Sequence, residues 1–212
     1  MTIRIVAVER EYGCGGGEIA QQLAQHLGWK LWDQALTEEI ARLASCPKAD
    51  VEQREERTDP LYYRLFKSFL RGSYEGSLNA HKLKLLDSES IYEYTESVVQ
   101  RAASSGNCVI VGRGSQLFLR KRQDTLRVFL YAPREDKVRR LLARGKSAHE
   151  AEELVDTVDL ERAAFIAKYF KVEWPSRAVY HAMINTAIGD ENVIKMIVDI
   201  MKAVDSKLAV GA

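Results

Sequence analysis

Glycines and arginines are the residues of this sequence best suited to holding an anion, and they cluster. Gly13, Gly15, Gly16 and Gly17 stand together in "REYGCGGGEIA", directly after Arg10. Backbone amides of a glycine-rich turn can converge on a phosphate, and a helix that starts there points its positive dipole end at it. A phosphate-binding loop of the form GxxxxGK[ST] adds a lysine that neutralises charge and a hydroxyl that binds magnesium. Against that pattern Arg10 takes the place of the first glycine, Gly15 the glycine before the lysine, Gly16 the lysine and Gly17 the hydroxyl. The backbone features are kept and both side-chain features are lost. Arg10 is then the candidate replacement cation. An exposed surface arginine beside a strand-to-helix turn that binds nothing is the plainer alternative.

Two further arginines belong with it. Arg113 is bracketed by glycines in "VGRG" after an apolar run, a position with little structural purpose for a charge. Arg162 follows Asp159 by three residues in "DLER", a spacing that by itself suits an i,i+3 ion pair. Guanidinium groups are planar forks matched to phosphate oxygens, so Arg10, Arg113 and Arg162 could surround a phosphoryl group from three sides. Asp33, after "KLW", or Asp159 could orient magnesium or a sugar hydroxyl; capping a helix or pairing with arginine is the ordinary role of such carboxylates. Arg139, Arg140, Arg144 and Lys146 read as a solvated helix face. Cys14 sits near a helix N-terminus, which lowers a thiol pKa and opens a redox or nucleophilic role, against the simpler reading of a small residue in a tight turn. His26, His81, His149 and His181 lack the partner spacing of a metal site.

The elements that must position these groups follow from periodicity. Short β-branched runs at 3–8, 107–112, 126–132 and 182–187, with "KLW" before Asp33, read as buried strands. Ile19, Ala20, Leu23, Ala24 and Leu27 recur at helical spacing and Gly28 supplies a stop. Alternation of strands and helices indicates an α/β layered chain with a doubly wound, parallel, five-stranded sheet. The first strand is expected to deliver the glycine loop at the sheet's C-terminal edge, where open α/β sheets bind ligands. Residues 47–105 carry helical patterns without a convincing strand, as a helical insertion that would serve as substrate flap, dimer surface or core cover. The final helix should bury Val193, Ile194, Ile197, Val198, Met201 and Val204 against the sheet.

A chain of 212 residues with 46% hydrophobic and 29% charged residues suits one globular domain over 1–212. The formal net charge of +1 gives no electrostatic ground for a nucleic-acid or membrane partner, so any anion site must be local. Cys14, Cys46 and Cys108 suggest neither a disulfide framework nor a zinc site. With no leader-like segment at the N-terminus, the expected location is the cytoplasm.

The strings "REYGCGGGEIAQQLAQHLG", "LWD", "CVIVGRGSQLFL" and "DLERAAFIAKYFKVEW…YHAMINT" occur in the order found in the cytidylate kinase-like proteins of the P-loop nucleoside monophosphate kinase superfamily, which the chain resembles. The resemblance implies a P-loop kinase fold, ATP and magnesium, and phosphoryl transfer to CMP, dCMP or a related nucleotide. Arg113 then matches an arginine that contacts the monophosphate, Arg162 a lid arginine in a region of about 145–175, and Asp33 the aspartate of an "LDS" segment whose serine is Gln34 here. Residues 47–105 would be an acceptor-binding flap, or a surface for oligomerisation. The absent lysine leaves room for a nucleotide-binding or sensing protein without transferase activity, or for a small-molecule kinase of other specificity.

Overall fold

The computed structural model describes residues 2–44 and 88–210. Five strands form one parallel sheet: β1 (Ile5–Arg10), β2 (Lys30–Trp32), β3 (Cys108–Val111), β4 (Thr125–Tyr131) and β5 (Ala182–Asn185), in the order β2-β3-β1-β4-β5. The helices between them are α1 (Gly16–Leu27), α2 (Gln34–Ala44), α3 (Ser88–Ser104), the single turn α4 (Ser115–Phe118), α5 (Arg134–Ala143), α6 (Ala148–Phe170) and α7 (Asp190–Val210). Residues 45–87, which hold most of the expected insertion together with Cys46 and His81, lie outside the described residues.

Strand alternation divides the core. Val6, Val8, Val109, Val111, Leu126, Val128 and Ile184 face α1 and α7 with Ile19, Leu23, Val193 and Ile197. Ile5, Cys108 and Ile110 face the opposite layer, with Leu36 and Ile40 of α2, Val98 and Val99 of α3, and Phe165 and Ile166 of α6. Helices therefore cover both faces, the doubly wound arrangement that the run of buried strands predicts. A third, smaller cluster joins Tyr12 to Leu141, Ala151, Val155 and Val158, so the loop after β1 is anchored on the α5–α6 pair.

The first strand differs from the apolar run. It begins at Ile5 and continues through Glu9 and Arg10, paired with Phe129 and Leu130 of β4. Both charged residues are buried, which hydropathy does not foretell. Likewise "AMINTA" is a strand only to Asn185 and turns into a 3-10 helix at Thr186–Ile188.

Because the sheet is parallel, all strand C-termini open at one edge, and β1 lies between β3 and β4 where the winding reverses. The α6 helix behind that edge starts with a side-chain N-cap, Ser147 accepting the Glu150 N–H at 3.2 Å. Ser147→Ala should cost about 1 kcal/mol in urea unfolding; an unchanged midpoint would show that the cap is idle.

Candidate functional site

The glycine loop has the backbone that its composition requires. Gly13 and Gly15 adopt left-handed conformations, φ 78° and 83°, and α1 begins at Gly16 with Gly15 as its N-cap. The first turn of α1 thus presents backbone N–H groups at the loop, that of Gly16 being directed at the Cys14 thiol. Thr186 Oγ1 donates to Cys14 O at 2.7 Å and fastens the loop to the end of β5.

Cys14 does not have the character that a helix N-terminus suggests. Its thiol is fully buried, directs Sγ at Leu130 O over 3.6 Å, and burial pushes its pKa up to about 12, outweighing the amide of Gly16. Burial also pushes Cys108 up to about 11. In a mass-spectrometric footprint with iodoacetamide at pH 7.5, both should stay unmodified in the folded protein and label after unfolding. Rapid native labelling of Cys14 would contradict its placement.

Arg113 occupies a strained turn. Gly112, Arg113 and Gly114 have φ of 65°, 58° and 66°, three successive left-handed residues directly after β3. A left-handed non-glycine residue costs on the order of 1 kcal/mol or more, a price found mainly where a side chain must be aimed. Arg113 is 1% exposed, and its pKa is lowered to about 9 by burial first and then by the neighbouring charge of Arg10, with Asp33 opposing. Asp33, at the end of β2, is itself buried.

Arg162 is set into the body of α6 and is 5% exposed. Its Nη1 donates to Arg10 O at 3.0 Å and to Asp159 Oδ1 at 3.1 Å, and the guanidinium lies 5.9 Å from the Tyr12 ring centroid. The i,i+3 ion pair that the spacing allows is therefore present. Asp159 does more than pair: its carboxylate accepts the Tyr12 N–H at 2.9 and 3.1 Å and lies 3.7 Å from Lys137 Nζ. Burial raises the Asp159 pKa, against the pull of Arg162 and Lys137.

Three cations surround the loop from α5 and its C-terminus: Arg140 and Arg144, which the basic run reads as a solvated face, and Lys137, which sequence reasoning did not single out. A Cβ added at Gly15 would come within 2.0 Å of Arg140 Nη1, so that guanidinium lies directly on the loop, held by Asp190 at 3.1 Å. Lys137, whose own Cβ closes on Gly13, donates to Glu11 Oε2 at 2.9 Å. Arg144 pairs with Glu18 of the first turn of α1. Their signal was the basic run itself, which helical spacing alone cannot distinguish from a solvated face. Arg139, exposed and paired with Asp136, does lie on such a face.

Arg10, Gly13, Gly15, Gly16, Gly17 and Arg162 line one cleft with Glu11, Tyr12, Glu18 and Arg144. Its free volume is about 20 Å³, near what one water needs, so a larger ligand requires side chains such as Arg144 to swing away. Arg113 and Asp33 are absent from that lining and belong to the neighbouring strand ends. Trp174, half-buried, packs on Phe129, ring centroids 5.5 Å apart, and lies against the core. Among the described residues no helix is long and apolar enough to cross a membrane, and no group of three or more His, Cys, Asp or Glu side chains could hold a metal ion.

Solved structures share this fold. No curated protein matches the sequence. Among solved structures, an uncharacterized protein from Eubacterium ventriosum ATCC 27560 superposes with a TM-score of 0.68 at 20% identity, covering 95% of this chain and 99% of that one. A gluconokinase from Sinorhizobium meliloti 1021 gives 0.55 at 12% identity, with 100% and 99% covered. Shikimate kinase from Acinetobacter baumannii, in complex with shikimate, gives 0.52 at 18% identity, with 95% and 94% covered. At these identities the likeness establishes the fold, that of P-loop kinases. The family comparison is more specific: residues 5–188 match the cytidylate kinase-like family, from the first strand to the 3-10 helix after the fifth, and the chain belongs to that family.

Proposed function

We propose that the protein transfers the γ-phosphoryl group of ATP to a nucleoside monophosphate, CMP or dCMP being the acceptor that its family suggests, as a cytoplasmic enzyme without a nucleic-acid or membrane partner. The observation that supports this most is the gathering of Arg10, Arg113 and Arg162, 4%, 1% and 5% exposed, from two strand ends and α6 beside a left-handed glycine loop. Burying three guanidinium groups is costly, and a phosphate-rich ligand is the partner that makes such a cluster useful.

Phosphoryl transfer asks mainly for positioning and charge stabilisation. In this reading the amides of Gly13, Gly15 and Gly17 hold the donor phosphates, that of Gly16 being turned to the Cys14 sulfur, with Arg140 and Arg144 supplying the charge of the missing lysine. Arg113 and Asp33 face the acceptor, and Arg162 bears on the transferring group. An acceptor oxygen forms its bond to the γ-phosphorus as the bond to the β,γ-bridging oxygen breaks and ADP leaves. A phosphate acceptor, with a second pKa of about 6, needs no general base at neutral pH. That suits Asp159, whose carboxylate is engaged by Tyr12 N–H and Arg162. An alcohol such as shikimate would need one. Magnesium, if bound, would offset charge on the phosphates; the carboxylates lining the cleft, Glu11 and Glu18, are paired with Lys137 and Arg144 and would have to leave those pairs to hold it.

A second reading, nucleotide binding without transfer, is favoured by the lost lysine and by the Asp159 carboxylate on a loop amide. A coupled ADP-release screen over the common nucleoside monophosphates, run beside thermal unfolding with ATP, separates the two. The expected result is ADP release with CMP or dCMP, and stabilisation by about 2.7 kcal/mol at a hundredfold excess over Kd. Stabilisation without transfer to any acceptor would leave the second reading standing. Neither response would sink both.

A further inference from the structure

Arg10 stands where a phosphate loop begins, yet its side chain leaves the loop. Its stem lies over Gly16, where an added Cβ would come within 2.8 Å of Arg10 Cβ. Its guanidinium reaches Gly112 at the end of β3, where an added Cβ would meet Nη1 at 2.1 Å. Two glycines on different elements therefore make room for one arginine.

That arginine is incompletely answered. Glu9 Oε1 lies 3.4 Å from Nη1, a long contact, and Nη2 has no hydrogen-bond partner although Arg10 is 4% exposed. Gln116, fully buried, donates Nε2 to Glu9 Oε2 at 3.1 Å and leaves Oε1 unpartnered; Ser115 Oγ, also buried, is unpartnered too. Buried donors and acceptors are rarely left unmet, and several belonging to residues at the same two strand ends call for a reason. The strained turn of residues 112–114 brings a second cation to the same place, near enough that the charge of Arg10 bears on Arg113. The carboxylates of Glu9 and Asp33 offset part of that charge, Glu9 beside Arg10 and both bearing on Arg113, and an anion seated between the two guanidinium groups would complete the compensation.

We propose that Arg10 and Arg113 form a clamp for the acceptor's anionic group, a phosphate monoester or similar oxyanion seated between the ends of β1 and β3, and that Arg10 does not serve the donor triphosphate. The identification of this anion as the acceptor rests on the kinase reading; the anion site itself does not. The arginine at the head of the loop is thus a specificity element that replaces no lysine.

Calorimetric titration of inorganic phosphate into the protein, alone and with saturating AMP-PNP in the glycine loop, tests the assignment on the parent chain, Arg10→Met and Arg10→Lys. Phosphate should bind the parent with AMP-PNP present. Arg10→Met should weaken phosphate about 10- to 100-fold while AMP-PNP binds as before, and Arg10→Lys should restore part of the loss. A parent that binds no phosphate overturns the clamp. So does an Arg10→Met protein that loses AMP-PNP instead, or that loses both. Phosphate bound through Arg10 in a protein that neither binds AMP-PNP nor transfers phosphate would remove the kinase reading and leave the clamp intact. If Arg10→Met does not fold, phosphate-soaked crystals of the unaltered protein decide: an anion within hydrogen-bond reach of Arg10 Nη2 supports the clamp, and an anion at the glycine loop alone overturns it.

Discussion

Gly16→Lys, the change that would restore the lysine of a standard phosphate loop, is expected to destabilise the protein by about 1–3 kcal/mol or more and to give no gain in turnover. The new Cβ would lie 2.8 Å from Arg10 Cβ, 3.0 Å from Arg10 Cγ and 3.3 Å from Cys14 Sγ. These are the stem of a buried side chain and a buried sulfur, with no loose end to move aside. The added ammonium would also enter beside a cation that is already in place. Urea unfolding of parent and variant measures the loss, and the ADP-release assay measures the rate. A variant with the parent's midpoint and faster transfer would mean that the Arg10 stem yields and that this loop is a lysine loop with one residue missing.

Arg162→Ala is expected to lower the rate constant for transfer about 10³-fold, with a smaller change in ATP affinity, because an arginine on the transferring group acts mainly in the transition state. Single-turnover quench-flow at saturating ATP and acceptor isolates that step, and a melting curve checks that the loop is still held. The control is Asp159→Asn, which keeps an oxygen for Tyr12 N–H but removes the charge opposite Arg162. Its effect on transfer should be the smaller of the two. If Arg162→Ala transfers at the parent rate, the bonds of Arg162 to Arg10 O and Asp159 are its whole purpose and it belongs to the scaffold.

Most of the fold is legible in the sequence because its signals are local. Runs such as "CVIV" and "LRVFLY" cannot be amphipathic helices of useful length, and glycines mark where strands hand over to helices. The site is legible in part for the same reason. Gly13 and Gly15 announce left-handed backbone, and Arg113 between two glycines announces a side chain being aimed. What the sequence hides is direction. Arg10 reads as a cation beside the loop, but only the approach of Gly112 from β3 tells where its guanidinium goes. Arg140 and Arg139 are neighbours of one type in one basic run, yet the first lies on Gly15 and the second in solvent. That distinction depends on how α5 packs, through Leu141 and Tyr12, and long-range packing leaves no mark in spacing. Asp159 shows the converse: its pairing with Arg162 is local and readable, and its bond to Tyr12 N–H, 147 positions away in sequence, is not.

The three buried arginines come from β1, the turn after β3, and α6, and no contiguous segment carries two of them with their surroundings. The anion site therefore exists only when the sheet is complete. A segment that folded alone would have nothing to bind with, and a compact intermediate lacking β1 between its neighbours would be blind to phosphate. Anion binding is then a gauge of global folding: phosphate should raise the denaturant midpoint while leaving the steepness of the transition unchanged, since the same surface is exposed on unfolding. Where they meet, the charge of Arg10 works against those of Arg113 and Arg162, with Glu9, Asp33 and Asp159 opposing it. Refolding should accordingly run faster in sulfate than in chloride at equal ionic strength, to the extent that the cations have already met in the transition state.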